Sequence, residues 1–209
     1  WKILTKISFW SGIESAVRNI AYAFMVVRLL NLLGTYEIGG YYLSMNLLWS
    51  FALVPILAIS ETAKALISNY NGNKQNIIHV LVASLTITTG IILLWIVLIP
   101  FWIDISSLFN KDKIIVAFSY SAFVFLIIPY ILLSFNMVID SLFYGTGTIK
   151  YIAFQSIITN GTVYLVAFFL YLQEVWIPTF ESIMILFGIG IFLDSILTII
   201  YAIKVLKNY

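Results

Sequence analysis

Glu14 and Arg18 stand four residues apart inside an apolar stretch, Ser8–Leu33, that is long enough to cross a bilayer. At that spacing the two side chains share one helical face, with the acid N-terminal to the base, the favourable order for an ion pair. A charge near the middle of a membrane helix costs about 2.5–3.5 kcal/mol on insertion scales, so it is rarely retained without a partner or a purpose. Other ionisable groups lie in comparable settings: Glu61 and Lys64 three apart, Asp140, and Asp194 about ten residues from the end of the last apolar run. Asn19, Asn46, Asn136, Gln155 and Asn160 add hydrogen-bonding groups to five segments. Acids in a spanning helix commonly mark ion or proton paths, which makes Glu14, tuned by Arg18, the candidate cation-coupling group. Arg18 and Asp194 fall at similar depth, so Arg18 has two candidate partners. Asn19, Asn46, Glu61, Lys64, Asn136, Asp140 and Asp194 form the candidate cavity network. They could equally pair across helices and only hold a bundle together.

The elements that must position these groups are membrane helices. Hydrophobic residues make up 62% of the chain and charged residues 10%, with a mean hydropathy of +1.05. Apolar runs of about 20 residues recur, which is the length a bilayer crossing requires. The fold class is therefore all-α, a polytopic membrane bundle, with spans expected over 8–33, 38–68, 77–101, 114–141, 149–172 and 181–204. Residues 1–209 form a single lobe. Asn69–Lys74 and Asn110–Lys113 are polar breaks, Gly145–Gly147 a turn, and 103–109 a short interfacial piece. Pro55 and Pro129 fall inside helices, where each removes a backbone donor; they are read as kinks, either hinges or packing shape. Six crossings place both termini on one side with Lys2, Lys6, Lys64, Lys74, Lys150, Lys204 and Lys207, so that side is expected to be cytoplasmic.

Several chemistries lack their parts. There is no cysteine, which removes disulfides and thiolate sites. His79 is the one histidine and reads as an interfacial polar residue. Gly145-Thr146-Gly147-Thr148 lacks the aspartate an intramembrane aspartyl protease would need, so catalysis is not expected, nor is a cofactor, a metal or a nucleic-acid partner. Trp1, Trp10, Trp102, Trp176, Tyr171 and Tyr209 lie near span ends and read as an interfacial belt. Tyr22, Phe24, Tyr41, Tyr42, Trp49 and Phe51 could line a cavity for flat apolar cations or pack against lipid and protein. The chain opens at Trp1 and is read as a piece of a longer protein.

Three stretches carry a family resemblance. Pro55–Asn73, PILAISETAKALISNYNGN, resembles the proline-to-glycine stretch of multidrug and toxic compound extrusion (MATE) transporters. Asp140–Thr148, DSLFYGTGT, is similar to that family's Asp-Gly-x-x-Arg-Gly-x-Gly-Asp stretch, with Tyr144 in place of the arginine and Thr148 in place of the second acid. Ser11–Ser15, SGIES, resembles the opening of the seventh helix, where many members carry a coupling glutamate. The resemblance implies two six-helix lobes facing each other across a cavity, of which this chain is one, the C-terminal lobe on the strength of Glu14. It implies export of organic, cationic compounds across the cell membrane in exchange for Na⁺ or H⁺. The implied partners are the lipid bilayer, a small organic cation and the other lobe. A lipid-linked oligosaccharide flippase of the same superfamily and a structural membrane subunit are the alternatives.

Overall fold

The computed structural model describes residues 2–209, and every regular element in it is helical. Trp1, assigned above to the interfacial belt, lies outside the described residues, as do the side chains of Lys2, Lys6 and Phe24. Helix α1 covers 2–30, with a π-helical turn at Tyr22–Val26. Helix α2 comprises Thr35–Ala52 and Val54–Asn69, bent by 47°. Then come α3 (Lys74–Phe109), α4 (Lys113–Gly145), α5 (Lys150–Leu172, with a π turn at Asn160–Tyr164) and α6 (Phe180–Lys207). Helices α3 to α6 and the bent α2 are long and apolar enough to cross a membrane. Helix α1 is not among them: its length, about 43 Å at ~1.5 Å per residue, suffices, but it is the helix that carries Glu14, Arg18, Asn19 and Arg28.

The helix ends follow local chemistry. The Gly34 N–H donates to Glu37 Oε2 at 2.7 Å and opens α2. Asn73 caps α3 by accepting from the Asn76 N–H, and Asp112 Oδ1 caps α4 by accepting from the N–H groups of Ile114 and Ile115. Thr179 and Ser182 cap α6 reciprocally. Residues 103–109, expected as a separate interfacial piece, instead continue α3 after one 3₁₀ turn at Ile99–Phe101, where Pro100 interrupts the ladder.

The two internal prolines behave differently. Pro55 sits in the first turn after the α2 bend, and the ladder ahead of it widens into a π turn over Leu48–Ala52, with Leu53 N–H donating to Leu48 O at 2.8 Å. The missing donor and ring clash of proline account for that break. Helix α4, by contrast, runs unbroken through Pro129. That proline is packed against α6, where a Cβ on Gly188 would meet its Cγ at 3.2 Å.

Helix α4 is the centre of the bundle: α2, α3 and α6 pack directly on it and α5 more lightly, whereas α1 packs chiefly on α5. The contacts are made at small residues. A Cβ on Gly40 of α2 would come within 2.8 Å of the Phe118–Ser119 backbone, and one on Gly145 within 2.7 Å of the Ile67 side chain. Close backbone approach is how membrane helices gain packing energy, since lipid leaves little hydrophobic drive between them. Two apolar clusters result. One contains Leu29, Leu48, Leu53, Trp95, Phe123, Leu126, Val138 and Phe180; the other, Ile67, Ile77, Leu142, Phe143, Ile152 and Val205. Trp102, expected in the interfacial belt, is instead core: it is buried, stacks on Phe123 with ring centroids 3.8 Å apart, and donates its indole N–H to Ser119 Oγ.

Gly40→Ala should lower thermal stability by about 1–3 kcal/mol, the usual cost of over-packing. Gly90→Ala, where an added Cβ meets nothing within 4 Å, should leave it unchanged. Thermal unfolding of the detergent-solubilised protein followed by gel filtration checks this; equal midpoints would contradict the close α2–α4 approach.

Candidate cation-coupling site

Between the two apolar clusters lies a stratum of polar side chains drawn from α1, α2, α4, α5 and α6. Helix α4 contributes Asn136, Asp140 and Ser141, just where its core residues pass from the first cluster to the second. Helix α5 contributes Gln155 and Thr159, and α6 contributes Asp194, Ser195 and Thr198. Helix α2 enters through Ser60, whose hydroxyl donates to the Met137 carbonyl at 2.6 Å. Helix α1 enters through Glu14.

The Glu14 carboxylate is buried, with 4% of the residue exposed. Its Oε1 pairs with Arg18 Nη1 at 3.0 Å, and its Oε2 accepts from the Ser15 hydroxyl at 3.3 Å. Arg18 itself is 64% exposed at the side chain, so the base caps the acid from outside. Of the two partners the sequence left open for Arg18, the structure forms the pair with Glu14. Behind Glu14 stand two more carboxylates, those of Asp140 and Asp194, near enough to interact electrostatically with it and with each other.

Amides thread through these acids. Gln155 is buried, donates from Nε2 to the Thr198 hydroxyl, and lies within hydrogen-bonding reach of both Asp140 and Asp194. Asn136 donates to Ser195 Oγ at 2.8 Å and reaches Asp194. Asp140 Oδ1 and Gln155 Oε1 are both buried without a hydrogen-bond partner. Asp140 lies within α4, which continues for five residues beyond it. Among the described residues no three acidic or imidazole groups converge closely enough to chelate a metal ion.

The rest of the expected network is not buried here. Glu61 and Lys64 do pair, at 3.1 Å, but on the surface, with Glu61 69% exposed at the side chain. Asn19 and Asn46 are exposed, and Asn160 donates to the carbonyl and hydroxyl of Ser156 in its own helix. The expectation that six charges lie buried is therefore corrected: Glu14 is buried, Asp140 and Asp194 are half-buried, and Arg18, Glu61 and Lys64 reach the surface. Helix α1 packs chiefly on α5, and α2 bends by 47° at Leu53. His79 is exposed, as its interfacial reading requires.

Tyr144, which sequence reasoning passed over as a site residue, links the exposed Glu61–Lys64 pair to the stratum. Its hydroxyl interacts with Glu14, Asp140, Arg18 and Glu61, and Lys64 Nζ sits 4.9 Å from its ring centroid. Gln155, Ser195 and Thr198 were likewise outside the expected site. The spacing Asp194…Thr198 on α6, one helical turn, was the available signal for a polar stripe. Beyond the carboxylates, an aromatic layer follows. Trp49 donates to the Tyr130 hydroxyl at 2.9 Å, which donates in turn to Met45 Sδ at 3.1 Å, and buried Tyr41 packs on Phe187. Tyr22, Tyr42, Trp49 and Phe51 are exposed, and Tyr22 interacts with Tyr42 across the α1–α2 gap. Tyr22, Trp49 and Phe51 all ride on π turns, a local geometry frequent at functional sites.

No curated protein and no solved structure matches the chain. The family model described as MatE matches residues 11–169, from the Glu14 motif through most of α5. The chain belongs to the MatE family of multi-pass membrane transporters of the multidrug and toxic compound extrusion type.

Proposed function

We propose that this chain is the C-terminal six-helix lobe of a twelve-helix antiporter, which exports organic cations across the cell membrane in exchange for H⁺ or Na⁺. The observation that carries the reading is a charge imbalance. Three carboxylates, Glu14, Asp140 and Asp194, interact with one another, while the base paired into them is Arg18. Lys64, the next cation along the cleft, is already paired with Glu61. An uncompensated carboxylate at membrane depth is expensive, so the cluster gains by taking up an added cation from either side of the bilayer. Glu14 is the coupling acid, and the exposed Arg18 holds it until the incoming cation competes.

The substrate surface is the cleft between α1 and α2, where Tyr22, Tyr42, Trp49 and Asn46 face outward. Aromatic faces attract organic cations through the ring quadrupole, worth about 2 kcal/mol when desolvated. The opposite lobe supplies the facing wall, and the Pro55 bend shapes the helix that moves. Both termini, the Asn71 loop and the Gly145 turn lie on the cytoplasmic side, in keeping with the basic residues gathered there. Arg18 and Lys64 each being ion-paired argues against a cavity built to hold a lipid pyrophosphate.

Glu14→Gln in the full-length protein should abolish dye export while leaving expression and gel-filtration behaviour normal. Glu61→Gln, which breaks a surface pair worth 0–1 kcal/mol by order of magnitude (about), should export at the wild-type rate. Retained, cation-coupled export in Glu14→Gln would remove that acid from the mechanism.

The chain's lack of cysteine makes accessibility directly readable. Asn46→Cys should react with a membrane-impermeant methanethiosulfonate and be protected by tetraphenylphosphonium. Ile189→Cys, exposed on α6, should be inert because lipid covers it. Equal reactivity at both positions, or no protection at Asn46→Cys, would contradict the cleft assignment.

A further inference from the structure

We infer that Lys150 and Lys204, at the ends of α5 and α6, form a headgroup site for an anionic phospholipid. Their ammonium groups share one aromatic base: Lys150 Nζ lies 5.1 Å and Lys204 Nζ 5.7 Å from the centroid of the Tyr151 ring. That ring is held in place, because Tyr151 is buried and packs on Tyr201 and Phe143, with centroids 5.0 and 6.1 Å away. The ring quadrupole gathers the two ammoniums but leaves their charge uncompensated. Both are exposed, and neither enters an ion pair found among the described residues. Lys207, one turn beyond Lys204, adds a third exposed cation. No acid occurs from Ser141 through Gln173 or from Ser195 through Tyr209, so the segments that meet here bring no counter-charge of their own. Glu14 of α1 and Glu61 of α2 are already engaged by Arg18 and Lys64. Like charges collected on one base repel, and an anion between them relieves the repulsion.

The depth of the pair says which anion. Helices α5 and α6 are both long and apolar enough to cross a membrane; Lys150 is the first residue of one, and Lys204 lies one turn from the end of the other. That is the level of the headgroups, where lipid phosphates are the nearest anions and attract basic residues. Apolar side chains are exposed along the same helical face as each lysine: Phe154 and Ile157 on α5, Ile200 and Ile196 on α6. A dibasic head above an apolar track has the chemistry of a phospholipid, whereas a soluble phosphate would leave the track unused. The Tyr209 hydroxyl donates to Asn71 Oδ1 and ties the end of α6 to the α2–α3 loop. The basic pair at the other end of α4 is built differently. There Lys111 Nζ donates to the Ser107 carbonyl at 3.0 Å, and Asp112 stands between Lys111 and Lys113.

The site needs the membrane crossing alone, so it stands or falls apart from the antiport reading. Native mass spectrometry of the full-length protein in detergent, titrated with phosphatidylglycerol or phosphatidylcholine, tests it. The wild type should hold phosphatidylglycerol about tenfold more tightly than phosphatidylcholine. The double variant Lys150→Gln/Lys204→Gln should lose that preference; both side chains are exposed, so the core is untouched. Lys111→Gln/Lys113→Gln, which removes the same charge from the opposite end of α4, should bind both lipids as the wild type does. Inorganic phosphate in large excess should leave bound phosphatidylglycerol in place. Equal retention of the two lipids by the wild type, or a preference that survives Lys150→Gln/Lys204→Gln, would overturn the assignment. So would a preference lost equally in Lys111→Gln/Lys113→Gln, which marks general charge attraction, or displacement by inorganic phosphate, which marks a site for a soluble anion.

Discussion

The structure depends on how closely other helices can approach α4. Along this helix the buried positions alternate between small residues, such as Ser119, Ala122, Ser134 and Ser141, and large ones such as Phe123, Leu126 and Phe143. Each neighbour comes in where a glycine or serine leaves room: Gly40 of α2 on Phe118–Ser119, and Gly188 of α6 on Pro129. Gly145, at the end of α4 itself, leaves the room that Ile67 of α2 fills. Contacts of this kind are short-range and unforgiving, so they fix the helices' relative depth. Depth in turn decides which polar groups meet. Asn136 finds Ser195, and Gln155 finds Thr198, because α4, α5 and α6 are held in that vertical register.

Helix α1 is the exception, and the exception is functional in character. It packs chiefly on α5 and so contributes one face to the bundle, the face that carries Glu14. Its other face exposes Arg18, Asn19 and Tyr22, a combination that a lipid-facing helix surface would not favour. Helix α2, bent at Leu53, exposes Tyr42, Asn46 and Trp49 in the same region. Polar and aromatic side chains are thus exposed on neighbouring parts of the most polar helix and of the bent one.

Much of this was legible in the sequence, and what was not has a common cause. Apolar run length located the helices, and the bend at Pro55 follows from proline's missing donor alone. The Glu14–Arg18 and Glu61–Lys64 pairs were readable because four- and three-residue spacings are properties of one helix. What spacing cannot give is which helix lies next to which. Glu61–Lys64 was correctly paired yet wrongly buried, since burial depends on whether a neighbour covers that face of α2. Spacing could not show that Asn136 of α4 and Gln155 of α5 reach α6, where they bond Ser195 and Thr198 beside Asp194. Trp102 read as an interfacial anchor from its place near a span end. The chain instead continues as helix to Phe109 and brings that indole against Phe123 and Ser119.

The division of labour among the three acids follows from their surroundings rather than from their chemistry, which is nearly identical. Glu14 has a base on one oxygen, a hydroxyl on the other, and an exposed guanidinium as its link to the cleft. Asp194 has two amides. Asp140 has one buried oxygen without a hydrogen-bond partner. Of the three, Glu14 is the acid with a charged partner, and that partner, Arg18, is exposed. Asp140 and Asp194 enter neither of the ion pairs found among the described residues. This layer brings α1, which packs chiefly on α5, into electrostatic contact with the acids of α4 and α6.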